Sequence, residues 1–234
     1  MTMIKLLKFP PGLGLPDPSP FCMKAELLLK MADLAYEPVI CVNPRKGPKG
    51  KLPAIADDGG IIGDSEFIRR HLERKYIVDF DKGLGARERA TAHAFARMLE
   101  ERTYWVAVYE RWIDERNWPV VRAALFGGLP PPLRSLVPFI ARRKVRDYLH
   151  GQGLGRHTRD EVYALGAADI RAVAEALGDK AYFMGSAPTG VDATIYAFVA
   201  ALLVPPFESP VKDEIRRHAN LVAYAERMRA RYYG

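Results

Sequence analysis

Cysteine is scarce: the 234 residues contain only Cys22 and Cys41, too few for a disulfide framework and without zinc-ligand spacing. A reducing, cytoplasmic setting is therefore expected. The histidines, His71, His93, His150, His157 and His218, share no ligand spacing either, so no metal is expected. Long apolar runs are also lacking. The segment from Met1 to Phe9 meets prolines before it reaches the length of a signal peptide's apolar region, so export is not expected. The most apolar stretch, Ile195 to Val204, is about half the ~20 residues of a membrane-spanning helix and reads as a buried core helix. No internal repeat or low-complexity tract is present. A composition of 49% hydrophobic, 27% charged and 10% aromatic residues excludes disordered, collagen-like and coiled-coil chains.

What is present is a chain long enough to bury about 70% of its unfolded surface, in one or two domains. Its formal net charge is +7, which favours anionic partners. Acids are dispersed among the bases and no recognition motif accompanies them, so nucleic acid is not an expected partner. Short β-like runs dominate the first part: Ile4 to Phe9, Tyr36 to Val42, Leu52 to Ala56 and Gly60 to Gly63, the last two joined by the hairpin signal Asp57-Asp58-Gly59. Phe21 to Leu34 and Asp64 to Tyr76 read as helices, giving the thioredoxin-like order βαβ-ββα. Polar, glycine-containing residues 78–86 read as a linker between a thioredoxin-like domain (1–77) and an all-α C-terminal domain (87–234), an α+β architecture overall. Helices are expected over 86–117, 158–177, 189–204 and 210–231, with Pro119 and Pro130-Pro131-Pro132 breaking the chain between the first two. Thr158 with Glu161 and Thr189 with Asp192 have capping-box spacing.

Three segments can carry chemistry. In Ser19-Pro20-Phe21-Cys22, Ser19 is an N-cap and Pro20 a first helical residue. Ser19 is a cap alone, or a cap whose free hydroxyl hydrogen also stabilises a thiolate at the positive end of the helix dipole. Lowering a thiol pKa by about two units takes roughly 2.7 kcal/mol, within reach of one charge-assisted hydrogen bond and a dipole. Cys22 is a small core residue or an alternative thiol. Ser19 occupies the nucleophile position of a Cys-x-x-Cys motif, which excludes two-cysteine redox chemistry. Leu52-Pro53, at the head of a strand, suits a cis peptide bond that offers the Leu52 backbone to an extended peptide. Asp64 and Ser65 open a helix, either as caps or as a site for a ligand carrying both a carboxylate and an ammonium group.

In this order and spacing the three segments resemble the thioredoxin-like domain of the glutathione S-transferase superfamily, and the helical remainder resembles its C-terminal domain. Ser-Pro-Phe-Cys-Met-Lys after a proline-rich loop, Gly50-Lys51-Leu52-Pro53, Gly63-Asp64-Ser65, Gly153-Leu154-Gly155-Arg156-His157 and Phe183-Met184-Gly185 are most similar to the branch of metaxins and failed-axon-connections proteins. The resemblance implies glutathione as co-substrate, with Ser19 on its thiolate and the Leu52 backbone on its cysteinyl unit. It also implies a cis Pro53, Asp64 and Ser65 at the γ-glutamyl end, and Lys51 with Arg45, Lys46 and Lys49 as candidates for the glycyl carboxylate. A homodimer is implied as well. No tyrosine precedes Tyr36, which excludes the tyrosine type of transferase.

The expected function is a glutathione transferase that activates the thiolate toward an apolar electrophile in the interdomain cleft. The alternative is a non-catalytic, metaxin-like module that binds a protein or membrane surface. Tyr104, Tyr109 and Trp112, with Trp105, are core residues or the walls of the second-substrate pocket. Arg134, Arg142, Arg143, Lys144 and Arg146, interleaved with Leu136, Val137, Phe139 and Ile140, are a solvated helix face or a peripheral contact for anionic lipid.

Overall fold

A computed structural model describes residues 3–234. Strand β1 (Ile4–Lys8) leads through helix α1 (Pro20–Met31) to the parallel strand β2 (Tyr36–Ile40). The hairpin β3 (Ala54–Asp57) and β4 (Gly60–Gly63) then adds antiparallel to β1, giving the order β2-β1-β3-β4, and α2 (Ser65–Tyr76) closes the unit. The hairpin turns through Asp58 (φ 44°) and Gly59 (φ 81°), both left-handed as a two-residue turn of matching twist requires.

Helices follow: α3 (Ala86–Met98), α4 (Tyr104–Trp112), α5 (Trp118–Phe126), α6 (Leu133–Gln152), α7 (Arg159–Leu177), α8 (Gly190–Leu203), α9 (Pro210–Arg217) and α10 (Ala219–Tyr233). Three expectations are corrected here. The helix expected from 86 to 117 contains a π turn at Leu99–Thr103 and ends at Trp112. The extra residue per turn brings Glu100 and Thr103, both polar, into the interior. The prolines near 119 and 130 do not only interrupt: Pro119 sits in the first turn of α5, and Pro132 caps α6, where a missing N–H is tolerated. The helix expected over 210–231 is broken at His218 (φ −101°, ψ 90°), so α9 and α10 are separate.

Helix α8 is buried from Gly190 to Leu202 and packs along α1, which is itself buried from Cys22 to Leu29. Asp192 anchors the head of α8: its carboxylate accepts from Thr189 N–H (2.7 Å), Phe183 N–H (2.8 Å) and the Tyr224 hydroxyl (2.9 Å). The short side chain of Asp thus ties the cap to a neighbouring loop and to α10.

Glu110 on α4 is fully buried, and among the described residues neither of its carboxyl oxygens has a hydrogen-bond partner; the Ser209 hydroxyl faces it outside bonding geometry. Burial raises this carboxyl to about 7 against the pull of Arg111 and Lys212. The native state therefore holds a proton that the unfolded chain has released. Stability should fall as pH rises from about 4.5 to about 7 and stay lower above that, by roughly 3 kcal/mol from this group. Glu110→Gln should remove that part of the slope, raising the melting temperature at pH 8 while leaving it nearly unchanged at pH 4.5. Parallel melting curves for both proteins across this range would exclude the assignment.

Candidate active site

The sheet register assembles the site. Leu7 pairs with Ala54, and Ala54 pairs with Gly63, so the end of β1, the start of β3 and the end of β4 lie side by side. The residues just beyond them, Phe9, Pro53 and Asp64, therefore share one end of the sheet, and the Asp64 N–H donates to the Pro53 carbonyl at 3.2 Å.

Ser19 is the N-cap of α1 (φ −91°, ψ 119°), its Oγ accepting from the Cys22 N–H at a long 3.4 Å. Because the oxygen accepts, the hydroxyl hydrogen remains free to donate, with the Cys22 sulfur as one neighbouring acceptor. Asp17, fully buried, holds the approach to Ser19. One carboxylate oxygen accepts the Ser19 N–H (2.7 Å) and the other the Phe9 N–H (2.9 Å), closing the eleven-residue loop between β1 and α1. From the other side Arg111 donates to the Pro18 carbonyl (2.5 Å) and to the Ala201 carbonyl of α8 (2.8 Å). Burial pushes the Asp17 carboxyl up to about 7, opposed by the two N–H donors and by Lys8. Burial likewise pushes the Arg111 guanidinium down.

Cys22, fully buried, has its thiol driven well up by burial and then by the Asp17 charge, outweighing its hydrogen bond with Ser19. Burial favours the core-residue reading of Cys22, which packs with Cys41 and Leu52.

The Leu52-Pro53 peptide is cis. The β3 ladders begin at Ala54, so the Leu52 peptide groups lie beyond them while its side chain is buried against Cys22. Asp64 takes φ 84° and ψ 128°, a conformation costing a non-glycine residue about 1–3 kcal/mol, and caps α2 by accepting the Glu66 N–H at 2.9 Å. Asp64 is exposed, Ser65 buried. Behind them, burial pushes the Glu66 carboxyl up, but Lys24 and then Arg70 draw it below its usual range. Arg45, Lys46, Lys49 and Lys51 are exposed on the loop before β3, and Lys49 stands 4.1 Å over the Phe67 ring.

The aromatic set divides. Tyr104 packs edge-on against Phe21 (5.0 Å), two residues from Ser19, and burial pushes its phenol up. Tyr109, about 140° further round the helix, packs on Tyr163 of α7 instead. Trp112 packs on Trp118 and Phe126 of α5. Tyr104 thus stands on the Ser19 side, while Tyr109 and Trp112, both half-buried, make contacts between helices. Sequence reasoning missed Asp17 and Arg111. The only local signal for Asp17 is its place two residues before the N-cap, bracketed by Pro16 and Pro18; for Arg111 it is a lone cation on an aromatic helix.

Residues 20–117 match a family model described as glutathione S-transferase N-terminal domain, and residues 166–228 one described as glutathione S-transferase, C-terminal domain. The chain is 32% identical over 238 residues to the isoprene-epoxide–glutathione S-transferase of Rhodococcus sp. (strain AD45), covering 98% of this chain and 99% of that protein. It is 31% identical to Failed axon connections of Drosophila melanogaster over 92% of this chain and 54% of that protein. With Metaxin-1 of Mus musculus it is 30% identical over 82% and 63%. The chain therefore spans little more than half to under two thirds of those two relatives. Among solved structures it shares the fold of beta-etherase LigF from Sphingobium sp. strain SYK-6 (TM-score 0.65, 18% identity, 98% and 96% covered). Glutathione transferase GSTFuA3 from Phanerochaete chrysosporium has the same fold (TM-score 0.65, 18% identity, 99% and 98% covered).

The Asp17 arrangement yields a test. Asp17→Ala leaves the Phe9 and Ser19 N–H groups without their acceptor inside the protein, at a cost of about 3 kcal/mol. Chemical denaturation should show that loss, and hydrogen exchange should show loosening confined to residues 9–19. Wild-type protection at Ser19 in the variant would exclude this role.

Proposed function

Because the chain belongs to the glutathione S-transferase family, we propose that it is a transferase that binds glutathione across the three stations at the end of the sheet and directs its thiolate at a small apolar electrophile. The observation that carries this reading is the convergence of a capping hydroxyl, an unladdered Leu52 peptide and a second helix N-terminus at one sheet end. Glutathione supplies the sulfur nucleophile. Ser19 donates its hydroxyl hydrogen to the ionised sulfur, and the α1 N-terminus adds its dipole. The Leu52 peptide pairs with the cysteinyl backbone. Asp64 accepts from the γ-glutamyl ammonium while the N-terminus of α2, with Ser65, holds the adjoining carboxylate. Lys51 and its neighbouring bases take the glycyl carboxylate in competition with solvent.

An epoxide, the substrate class named for the Rhodococcus relative, fits the apolar wall of Phe21 and Tyr104. Attack at an epoxide carbon forms the carbon–sulfur bond and breaks a carbon–oxygen bond, leaving an alkoxide that needs a proton. The Tyr104 hydroxyl, kept protonated by burial, is a donor on that wall.

The relatives Failed axon connections and Metaxin-1 favour a second reading, a non-catalytic interaction module. Full-length correspondence is with the transferase, which supports the first. Titration calorimetry separates them: no heat and no thermal stabilisation at millimolar glutathione would overturn the transferase reading.

Two substitutions test the roles. Ser19→Ala should lower turnover about 100-fold with a much smaller change in glutathione affinity, because the hydroxyl favours the ionised thiol rather than the ligand as a whole. Ser19→Asn, which keeps the cap and the melting temperature, should be equally slow. Undiminished turnover in both would remove Ser19 from the chemistry. Asp64→Asn keeps a cap of similar strength, so melting should shift by only a few degrees. Loss of the charge-assisted bond should nevertheless weaken glutathione about 10- to 100-fold. Equal affinity in wild type and variant, measured at low salt, would reduce Asp64 to a cap.

A further inference from the structure

The helix pair α5–α6 lies outside both family-model matches, which cover residues 20–117 and 166–228. Its charge is one-sided. Residues 118–152 hold six bases, Arg122, Arg134, Arg142, Arg143, Lys144 and Arg146, against one acid, Asp147, in a chain whose whole net charge is +7. Arg142 is used internally, donating to the Trp112 carbonyl (2.7 Å) and pairing with Glu115 (2.7 Å). Among the described residues the other five form no ion pair.

The same helix exposes large apolar side chains: Leu133 (43%), Leu136 (52%), Phe139 (66%) and Ile140 (55%). Helical spacing puts Leu133, Leu136 and Ile140 on one face with Arg143 and Lys144, opposite the buried Pro138 and Leu149. The outer face of α6 is thus apolar over its first two turns and basic over the next, with Asp147 following on the same face. The loop that leads into it, residues 127–132, carries no charge.

We propose that α5–α6 docks on the surface of an anionic bilayer, with Leu136, Phe139 and Ile140 entering the headgroup–acyl boundary while Arg143, Lys144 and Arg146 meet lipid phosphates. Charge complementarity selects this occupant. A bilayer offers apolar depth and negative charge within one side-chain length, whereas a nucleic-acid backbone offers charge without apolar depth. Among the described residues no helix is long and apolar enough to cross a membrane, so the contact is interfacial.

Cosedimentation of the full chain with vesicles tests this. Vesicles of phosphatidylcholine with about one third phosphatidylserine should bind the protein, pure phosphatidylcholine should not, and added salt should weaken binding. Arg143→Gln with Lys144→Gln should lower the partition coefficient about 30-fold. Phe139→Ser with Ile140→Ser should lower it about 10-fold or more. All four positions are exposed, so melting curves should match wild type. Three results would overturn the proposal: no binding to the mixed vesicles, binding undiminished by the serine pair, or a wild-type dimer in sedimentation velocity that the same substitutions dissociate. The last would assign the face to a second copy of the chain.

Discussion

Helix α1 is surrounded, and it carries a buried charge on each of two opposite sides. Toward the sheet Glu26 pairs with Lys8 at 2.5 Å and accepts from the Tyr36 hydroxyl at 2.8 Å. Toward the helical half Lys24 pairs with Glu100 at 2.8 Å, and Glu100 also takes Arg97 and the Thr194 hydroxyl. Removing one partner from such a pair leaves an uncompensated buried charge, at about 3–5 kcal/mol. Apolar packing alone would tolerate a helix rotated or slid by a fraction of a turn; these two pairs do not. Because Ser19 caps α1, the placement of the hydroxyl depends on this double fixing.

The π turn belongs to the same constraint. By inserting one residue it turns Glu100 toward Lys24 while Thr103, three residues on, meets Asp169 of α7 at 2.7 Å. An unbroken α-helix would turn one of these groups off its partner, since each residue advances about 100°. The functional end of α1 is thus tied, through Lys24, to an irregularity in a helix some 76 residues later in the chain.

How much of this was legible depends on whether the signal was local. The strands, the hairpin at Asp58-Gly59 and both capping boxes are written in adjacent residues, and the structure has them. The α+β, thioredoxin-like architecture followed from their order. Proline reads locally as a breaker, which hides α5 and the start of α6, although Pro119 and Pro132 stand at helix starts. The break at His218 has no glycine or proline to announce it; there Asn220 reaches across to the Ala174 and Gly178 carbonyls, a contact made only in three dimensions. At Cys22 the sequence leaves two readings open, a small core residue or an alternative thiol. Burial beside Asp17 pushes the thiol up and favours the first, and burial of that degree is not written in the local sequence. The aromatic run at 104–112 is ambiguous in sequence for a related reason: one stretch of helix faces several neighbours, so Tyr104 meets α1 while Tyr109 and Trp112 meet α7 and α5.

Asp17 and Glu110 have no shared position in the sequence, yet one cation stands near both. Arg111 bonds to the Pro18 carbonyl in the loop that Asp17 pins, and it is the residue after Glu110. Its positive charge offsets part of the burial cost of each carboxyl, and both carboxyls nevertheless lie near 7. Desolvation therefore outweighs attraction on both sides of α4, as it does wherever a single buried cation is bonded to carbonyls rather than to carboxylates. The two Nη groups of the guanidinium donate to Pro18 and Ala201, fixing the Ser19 loop against α8, while Nε has no partner among the described residues. Position at the helix cap is thus secured by neutral acceptors and by the two N–H bonds to Asp17, whereas Glu110 accepts no hydrogen bond among the described residues.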